Sequence, residues 1–264
     1  MKYYKLDKDT KAYVKRMAVD GIKTPTDIYT LNDFIVGLKD INLFNFVEMY
    51  FYSTIHNSSS GTKIYAFRDI KNDGTISGTH TRRLDGFQFP ENDQNTFINS
   101  SLLLPFAPCN LVWITNLFLG GTCNSSGLFS RGVNFNGNQF SIGGSCDSRL
   151  FFYSQGGNWA NTVSDVASPG GKLDNNFHFF SLNMSGNKGP VIVNTDTSIT
   201  TGSTSGGSVG FNDLQTIYAP RAYLSGKAVI LHSALIYDRS LSGSENALLY
   251  SLIKSTIGKT LKIP

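Results

Sequence analysis

The chain has 264 residues, with 23 Lys and Arg against 19 Asp and Glu, a formal charge of +4. Charged residues make up 16% of it and hydrophobic ones 40%, a globular balance that excludes a disordered acidic or basic tail. With no Lys/Arg block there is no nucleic-acid footprint, and no run of 18 apolar residues is available to span a membrane.

Residues 1–53 read as a helical leader. Asp9 or Thr10 caps a first helix through Ala12, Val14 and Met17, and Gly21 breaks it. Thr24 and Pro25 give a second start signal, with Thr24 as N-cap and Pro25 at the first helical position. Ile28, Leu31, Ile35 and Leu38 then recur at three- and four-residue steps, which places them on one apolar face of a helix over 25–39. Leu43 to Tyr50, with Phe44, Phe46, Val47 and Met49, is expected to form a third, buried helix because it is apolar nearly all round. The N-terminus has no apolar stretch of the kind a secretory signal needs.

Thr54 to Gly61 is a polar, small-residue break. Beyond it Gly, Asn and Ser clusters recur every 8–15 residues, from Asn72-Asp73-Gly74 to Gly206-Gly207. Between them lie short β-branched and aromatic runs: Leu111–Leu119, Leu150–Tyr153, Phe177–Asn183, Val191–Thr195 and Ala228–Tyr237. Short strands at this spacing predict an all-β sandwich or barrel over 62–264. Phe and Tyr inside the segments argue against disorder, and no fixed repeat suggests a propeller. At the end, Ser242 and Glu245 stand three apart as a capping box requires, ahead of a helix through Leu248, Leu249, Leu252 and Ile253 that stops near Gly258. Cys109, Cys123 and Cys146 are odd in number and form no CxxC pair. They allow one disulfide plus a free thiol, and read first as three reduced thiols that pack as small apolar residues.

The stretch Leu231-His232-Ser233-Ala234-Leu235-Ile236-Tyr237-Asp238-Arg239, followed by Leu241-Ser242-Gly243-Ser244-Glu245, resembles the closing strand and short helix of concanavalin A-like, LamG-type jelly-roll sandwiches. Phe177-His178-Phe179-Phe180 and Val191-Ile192-Val193-Asn194 resemble two upstream strands of that family, although Thr195 replaces the Gly usual after the Asn. The leader is similar to one found before such sandwiches in phage virion proteins, through Gly21, Ile22, Leu31, Gly37, Leu38, Lys39, Leu43 and Met49. Phe44 stands where that leader usually has Trp. The resemblance implies a mainly β fold: a jelly-roll sandwich with an N-terminal helical region and a C-terminal helix.

Some concanavalin A-like domains hydrolyse β-glucans with two carboxylates about 5–5.5 Å apart. The only glutamates here are Glu48, Glu91 and Glu245, and no two share a predicted strand. His56, His80, His178 and His232 are far apart in sequence and make no zinc pattern. Asp69-x-Lys71-x-Asp73-Gly74 has a lysine at a calcium-ligand position and reads as a polar turn. Gly258-Lys259-Thr260 lacks the rest of a phosphate loop, and Arg82-Arg83 reads as a solvated turn. Trp113 reads as core. The candidate ligand site is the Gly-rich loop carrying Asn158, Trp159 and Asn161, an aromatic platform between two amides.

The expectation is therefore a non-enzymatic virion structural or decoration protein of a phage, in the tail or on the capsid surface, with no cofactor and no metal. Its expected partners are other virion proteins, further copies of itself and a host surface glycan, without nucleic acid or membrane insertion. The alternative is a cell-surface or secreted carbohydrate-binding module.

Overall fold

The computed structural model describes residues 5–90, 97–100, 109–116, 126–127, 140–144, 149–154, 162–167, 176–184, 191–196, 198–202, 217–218 and 229–264. Two helices come first, α1 (Lys8–Val19) and α2 (Ile28–Asp40), and α3 (Gly243–Ser255) comes near the end. Between α2 and α3 the chain is mainly β. The first strands are β1 (Val47–Phe51), β2 (Lys63–Ile64), β3 (Gly74–Ser77), β4 (Thr81–Arg82), β5 (Phe87–Phe89) and β6 (Phe97–Ser100). Then follow β7 (Cys109–Asn116), β8 (Ser126–Gly127), β9 (Phe140–Gly144), β10 (Arg149–Ser154) and β11 (Thr162–Ala167). The last are β12 (Phe177–Met184), β13 (Val191–Thr195), β14 (Ser198–Gly202), β15 (Ile217–Tyr218) and β16 (Val229–Tyr237).

All described pairings are antiparallel. The large sheet runs β14-β13-β12-β7-β16-β5-β4, and β1 also pairs with β16. β16 thus has β7 along one side, while β5 and β1 share the other. The pairing of β16 with β7 slips at His232, between Leu231 and Ser233. Two smaller sheets, β11-β10-β9-β8 and β15-β6-β3-β2, complete the sandwich.

Period-2 alternation divides the large sheet between two layers. Val112 and Ile114 of β7, Phe177 and Phe179 of β12, and Leu235 and Tyr237 of β16 join one apolar cluster with Met17, Leu31, Phe34, Ile35 and Leu38 of the first two helices and Leu249, Tyr250 and Ile253 of α3. Both ends of the chain therefore cover the same face. Trp113, buried as expected, belongs to the opposite face. A buried polar strip docks α3: Asn110 Nδ2 donates to Ser181 Oγ at 3.0 Å, and that hydroxyl donates to Asn246 Oδ1 at 2.6 Å. Gly37 sits where α2 crosses α3; a Cβ there would lie 2.3 Å from Leu252 Cδ1, so the end of that side chain would have to shift.

Helix ends obey local rules, with shifted starts. Asp7 caps α1, two residues before the earliest expected cap, by accepting from Asp9 N at 2.9 Å. Gly21, at φ +74°, ends it, with Ile22 N bonded to Met17 O and Gly21 N to Ala18 O, a Schellman closure. Asp27, not Thr24, caps α2. Pro25 is buried ahead of the helix. The capping box of α3 forms as expected: Ser242 N donates to Glu245 Oε2 at 2.8 Å, and Glu245 N to Ser242 Oγ at 3.2 Å.

One expected element is corrected. Residues 43–50 are not a helix; a short 3-10 turn, Phe44–Phe46, leads into strand β1. Val47, Met49 and Phe51 face the helices, and all five β1 residues are buried. A strand covered on both faces shows no alternation, so an apolar run of this length suits either structure. The expected strands at 177–183, 191–195 and 150–153 are present as β12, β13 and β10. Those at 111–119 and 228–237 appear as β7 and β16 within the described residues.

Candidate functional site

Asn158, Trp159 and Asn161 lie outside the described residues, as do Glu91, Cys123 and Cys146. The described residues instead form a cleft where the helices meet the sheet edge. A trough of about 790 Å³ lies between α1, the turn before β1, the loop after β2 and the end of β16. Tyr13 and Arg16 line it from α1, Phe46 and Glu48 from the β1 segment. Arg68, Asp69 and Asn72 close one wall, and Asp238 the far end. A smaller hollow of about 460 Å³ adjoins it, sharing Asp9, Phe44 and Arg68 and adding Lys8, Lys39, Asn42 and Asn45.

Glu48 builds the trough wall. Its Oε1 accepts from Met49 N at 3.0 Å and Arg68 N at 2.9 Å, and its Oε2 from Asp69 N at 3.2 Å and Asn72 Nδ2 at 2.7 Å. Four donors on one buried carboxylate hold the 68–72 loop against the free edge of β1, where Phe67 N also donates to Met49 O at 2.8 Å. These four donors occupy the carboxylate's lone-pair sites and leave none for general-base work. Arg16 bridges the opposite wall, donating to the carbonyls of Ala66 and Phe67 and reaching Asp73 at 3.5 Å. At the smaller hollow, Lys39 Nζ lies 2.6 Å from both Asp7 Oδ1 and Asp9 Oδ2. Burial alone would raise Asp7, but Lys39 and the capped amides bring it below its ordinary value.

The structure also gathers residues that look unrelated in sequence. His56 and His232 are both buried, their rings edge-on at 5.7 Å. Ser53 Oγ is 3.1 Å from His56 Nδ1, and Asp27 Oδ2 is 3.8 Å from His56 Nε2. His56 beside Asp27 holds that carboxyl down at about 2, against the effect of burial. Burial, with His56 alongside, pushes His232 well below the ordinary imidazole value. Ser, His and Asp here are not a catalytic triad, because Ser53 is wholly inaccessible to a substrate. The group joins α2, the 53–58 loop and the register slip of β16. A segment separation of 232 − 56 = 176 residues leaves no local signal for it.

Arg82, expected in a solvated turn, is instead half-buried and wrapped by carbonyls: its Nη1 donates to Ser58 O at 2.6 Å and its Nη2 to Gly61 O and Lys63 O at 2.9 and 3.0 Å. Desolvation lowers it to about 10. Arg83 pairs with Asp85 at 2.7 Å. Asp69 accepts from Lys71 N at 2.9 Å, so the Asp69–Asp73 segment is the polar turn its sequence suggests. Among the described residues no group of three or more His, Cys, Asp or Glu is placed to hold a metal. No described helix is long and apolar enough to cross a membrane.

No family model and no curated protein matches the chain in sequence. Solved structures do match its fold. Trypanosoma rangeli sialidase in complex with sialic acid is 16% identical with a TM-score of 0.54, over 79% of this chain and 33% of that one. The receptor binding domain of botulinum neurotoxin C/D mosaic serotype is 8% identical with a TM-score of 0.53, over 77% and 50%. The binding domain of Paraclostridial Mosquitocidal Protein 1 is 10% identical with a TM-score of 0.54, over 78% and 52%. This chain thus spans about a third to a half of those chains, and at these identities the likeness is one of fold. Like them in architecture, this chain is a mainly β protein of the sandwich class.

Proposed function

We propose that the chain is a non-enzymatic binding and assembly module that recognises a glycan on a host surface and serves as a structural or decoration component of a phage particle. The observation that carries the non-enzymatic reading is the engagement of the described glutamates. Glu48 is closed off by four donors. Glu245 is held by Arg239 at 2.6 Å within the capping box of α3, which lowers it to about 2. Neither is available as the acid or nucleophile that glycoside cleavage needs. The binding reading is supported by the fold shared with a receptor binding domain and a binding domain of two toxins. The sialidase likeness concerns fold and a third of that chain.

The particle reading rests on the leader, whose Gly21, Gly37, Leu38 and Met49 give it a resemblance to the leaders of phage virion proteins. Gly37 is the residue at which α2 and α3 cross. The same reading gives it further copies of itself and other virion proteins as partners. Mass spectrometry of purified particles, with a glycan array probed by the whole chain, tests it. Presence in particles together with glycan retention is expected. Glycan retention by a protein absent from particles would favour a cell-surface or secreted carbohydrate-binding module, and no retention would remove the glycan.

A further inference from the structure

Arg68 stands where the trough and the smaller hollow meet. Its Nη1 donates to three main-chain carbonyls of the turn before β1: Phe44 O at 3.4 Å, Asn45 O at 2.9 Å and Val47 O at 3.1 Å. The guanidinium carbon lies 5.4 Å from the centre of the Phe44 ring. Among the described residues nothing accepts from the Nε–Nη2 edge, and the side chain is exposed. That edge is the fork that meets a carboxylate through two parallel hydrogen bonds. Because Nη1 is already anchored, little side-chain freedom remains to be lost on binding.

The charges around it are sorted. The smaller hollow carries Lys8, Lys39 and Arg68 against Asp9 alone. Lys39 is already matched by Asp7 and Asp9, which leaves Lys8 and Arg68 for a single anion. The trough carries Arg16 and Arg68 against Asp9, Glu48, Asp69 and Asp238, so a second anion there is repelled. Asp238 is exposed, with the Arg239 charge nearby, and exposed carboxylates accept hydrogen bonds from hydroxyls. Phe46 is 42% exposed; the Arg239 guanidinium carbon lies 4.8 Å from the centre of its ring, and the rest of the ring offers an apolar surface beside them.

We propose that this cleft binds a saccharide with one terminal carboxylate, its acid group on the Nε–Nη2 edge of Arg68 beside Lys8 and its remaining rings along the trough over Phe46. The inference deepens the glycan reading above and rests on it. It sets a polarity on the ligand: one acid at the end is favoured, and a polyuronate with a charge on every ring is excluded by Asp69 and Asp238.

The test uses the whole chain, calorimetry and the Arg68 Nε resonance. The probes are a glucuronate-terminated trisaccharide, its neutral glucose-terminated counterpart, and lactate as a bare carboxylate. Tighter binding of the acidic trisaccharide is expected, with a shift of the Arg68 Nε signal. Arg68→Lys keeps the charge and loses the fork, and should weaken the acidic ligand by roughly tenfold with no effect on the neutral one. Lys8→Gln, at an exposed site, should weaken it by about threefold through lost charge alone. Equal binding of both trisaccharides, untouched by Arg68→Lys, would overturn the subsite and leave the glycan reading standing. A shift with lactate but binding of neither trisaccharide would keep the carboxylate site and remove the glycan. No shift with any probe would overturn both.

Discussion

The segments Ile28–Asp40 and Val47–Phe51 lie close in the chain and both are buried, yet one is a helix on the sheet and the other a strand within it. α2 buries one stripe, Leu31, Phe34, Ile35 and Leu38, and leaves Tyr29 and Val36 exposed. β1 buries everything, with Val47, Met49 and Phe51 against the helices and Glu48 closing the edge loop. A one-sided element declares its period, whereas a two-sided element takes its form from what surrounds it. The difference also shows that the N-terminal segment is part of the sandwich: α2 covers the sheet that β1 helps to build.

The largest effect should come from removing residues 1–53. That deletes β1 from beside β16 and uncovers Val112, Ile114, Phe177 and Phe179. The expected outcome is an insoluble or molten product, read by size exclusion and circular dichroism. A stable, monodisperse fragment would separate the two regions. Single truncations rank next. Phe51→Ala should cost about 3–5 kcal/mol and Leu31→Ala about 2–5 kcal/mol in urea unfolding, as for fully buried side chains. Similar losses would confirm that the strand and helix share one core.

Gly37→Ala probes the crossing with α3. The clash falls on the flexible end of Leu252, so a loss of about 1–3 kcal/mol is expected. Ser242→Ala, which removes half of the capping box, should cost about 0.5–2 kcal/mol. The smallest effect is in pH. His232 is neutral when folded, with its affinity for protons depressed, whereas the unfolded chain takes the proton near pH 6.5. Its contribution is therefore present above pH 6.5 and is lost as pH falls below it. A melting temperature that declines from pH 7 to pH 5, with a flatter slope in His232→Gln, is the expected result.

Several features were legible in the sequence because their causes are local. Ser242 and Glu245 satisfy each other across one turn, and β12 and β13 carry dense aromatic or β-branched runs bounded by turn residues. The turn after β13 has Asp196 at φ +50°, one residue beyond Thr195, which stands where the resembling family has Gly. The starts of α1 and α2 were off by two or three residues because Asp7 and Asp27 are as able to cap as Asp9 and Thr24. β1 was misread because burial on both faces erases its period. The cleft was missed altogether. Arg68 gains its anchoring from the carbonyls of residues 44–47, and the two histidines meet only through the register of β16, so neither relation has a spacing to read.

The non-catalytic binding role is tested most directly by following the ligand itself. The whole chain would be held at equilibrium with the glucuronate-terminated trisaccharide, and every sugar species weighed by mass spectrometry. The account expects the saccharide to be retained by the protein and recovered intact. Steady release of a monosaccharide, abolished by a single carboxylate substitution such as Glu91→Gln, would contradict it.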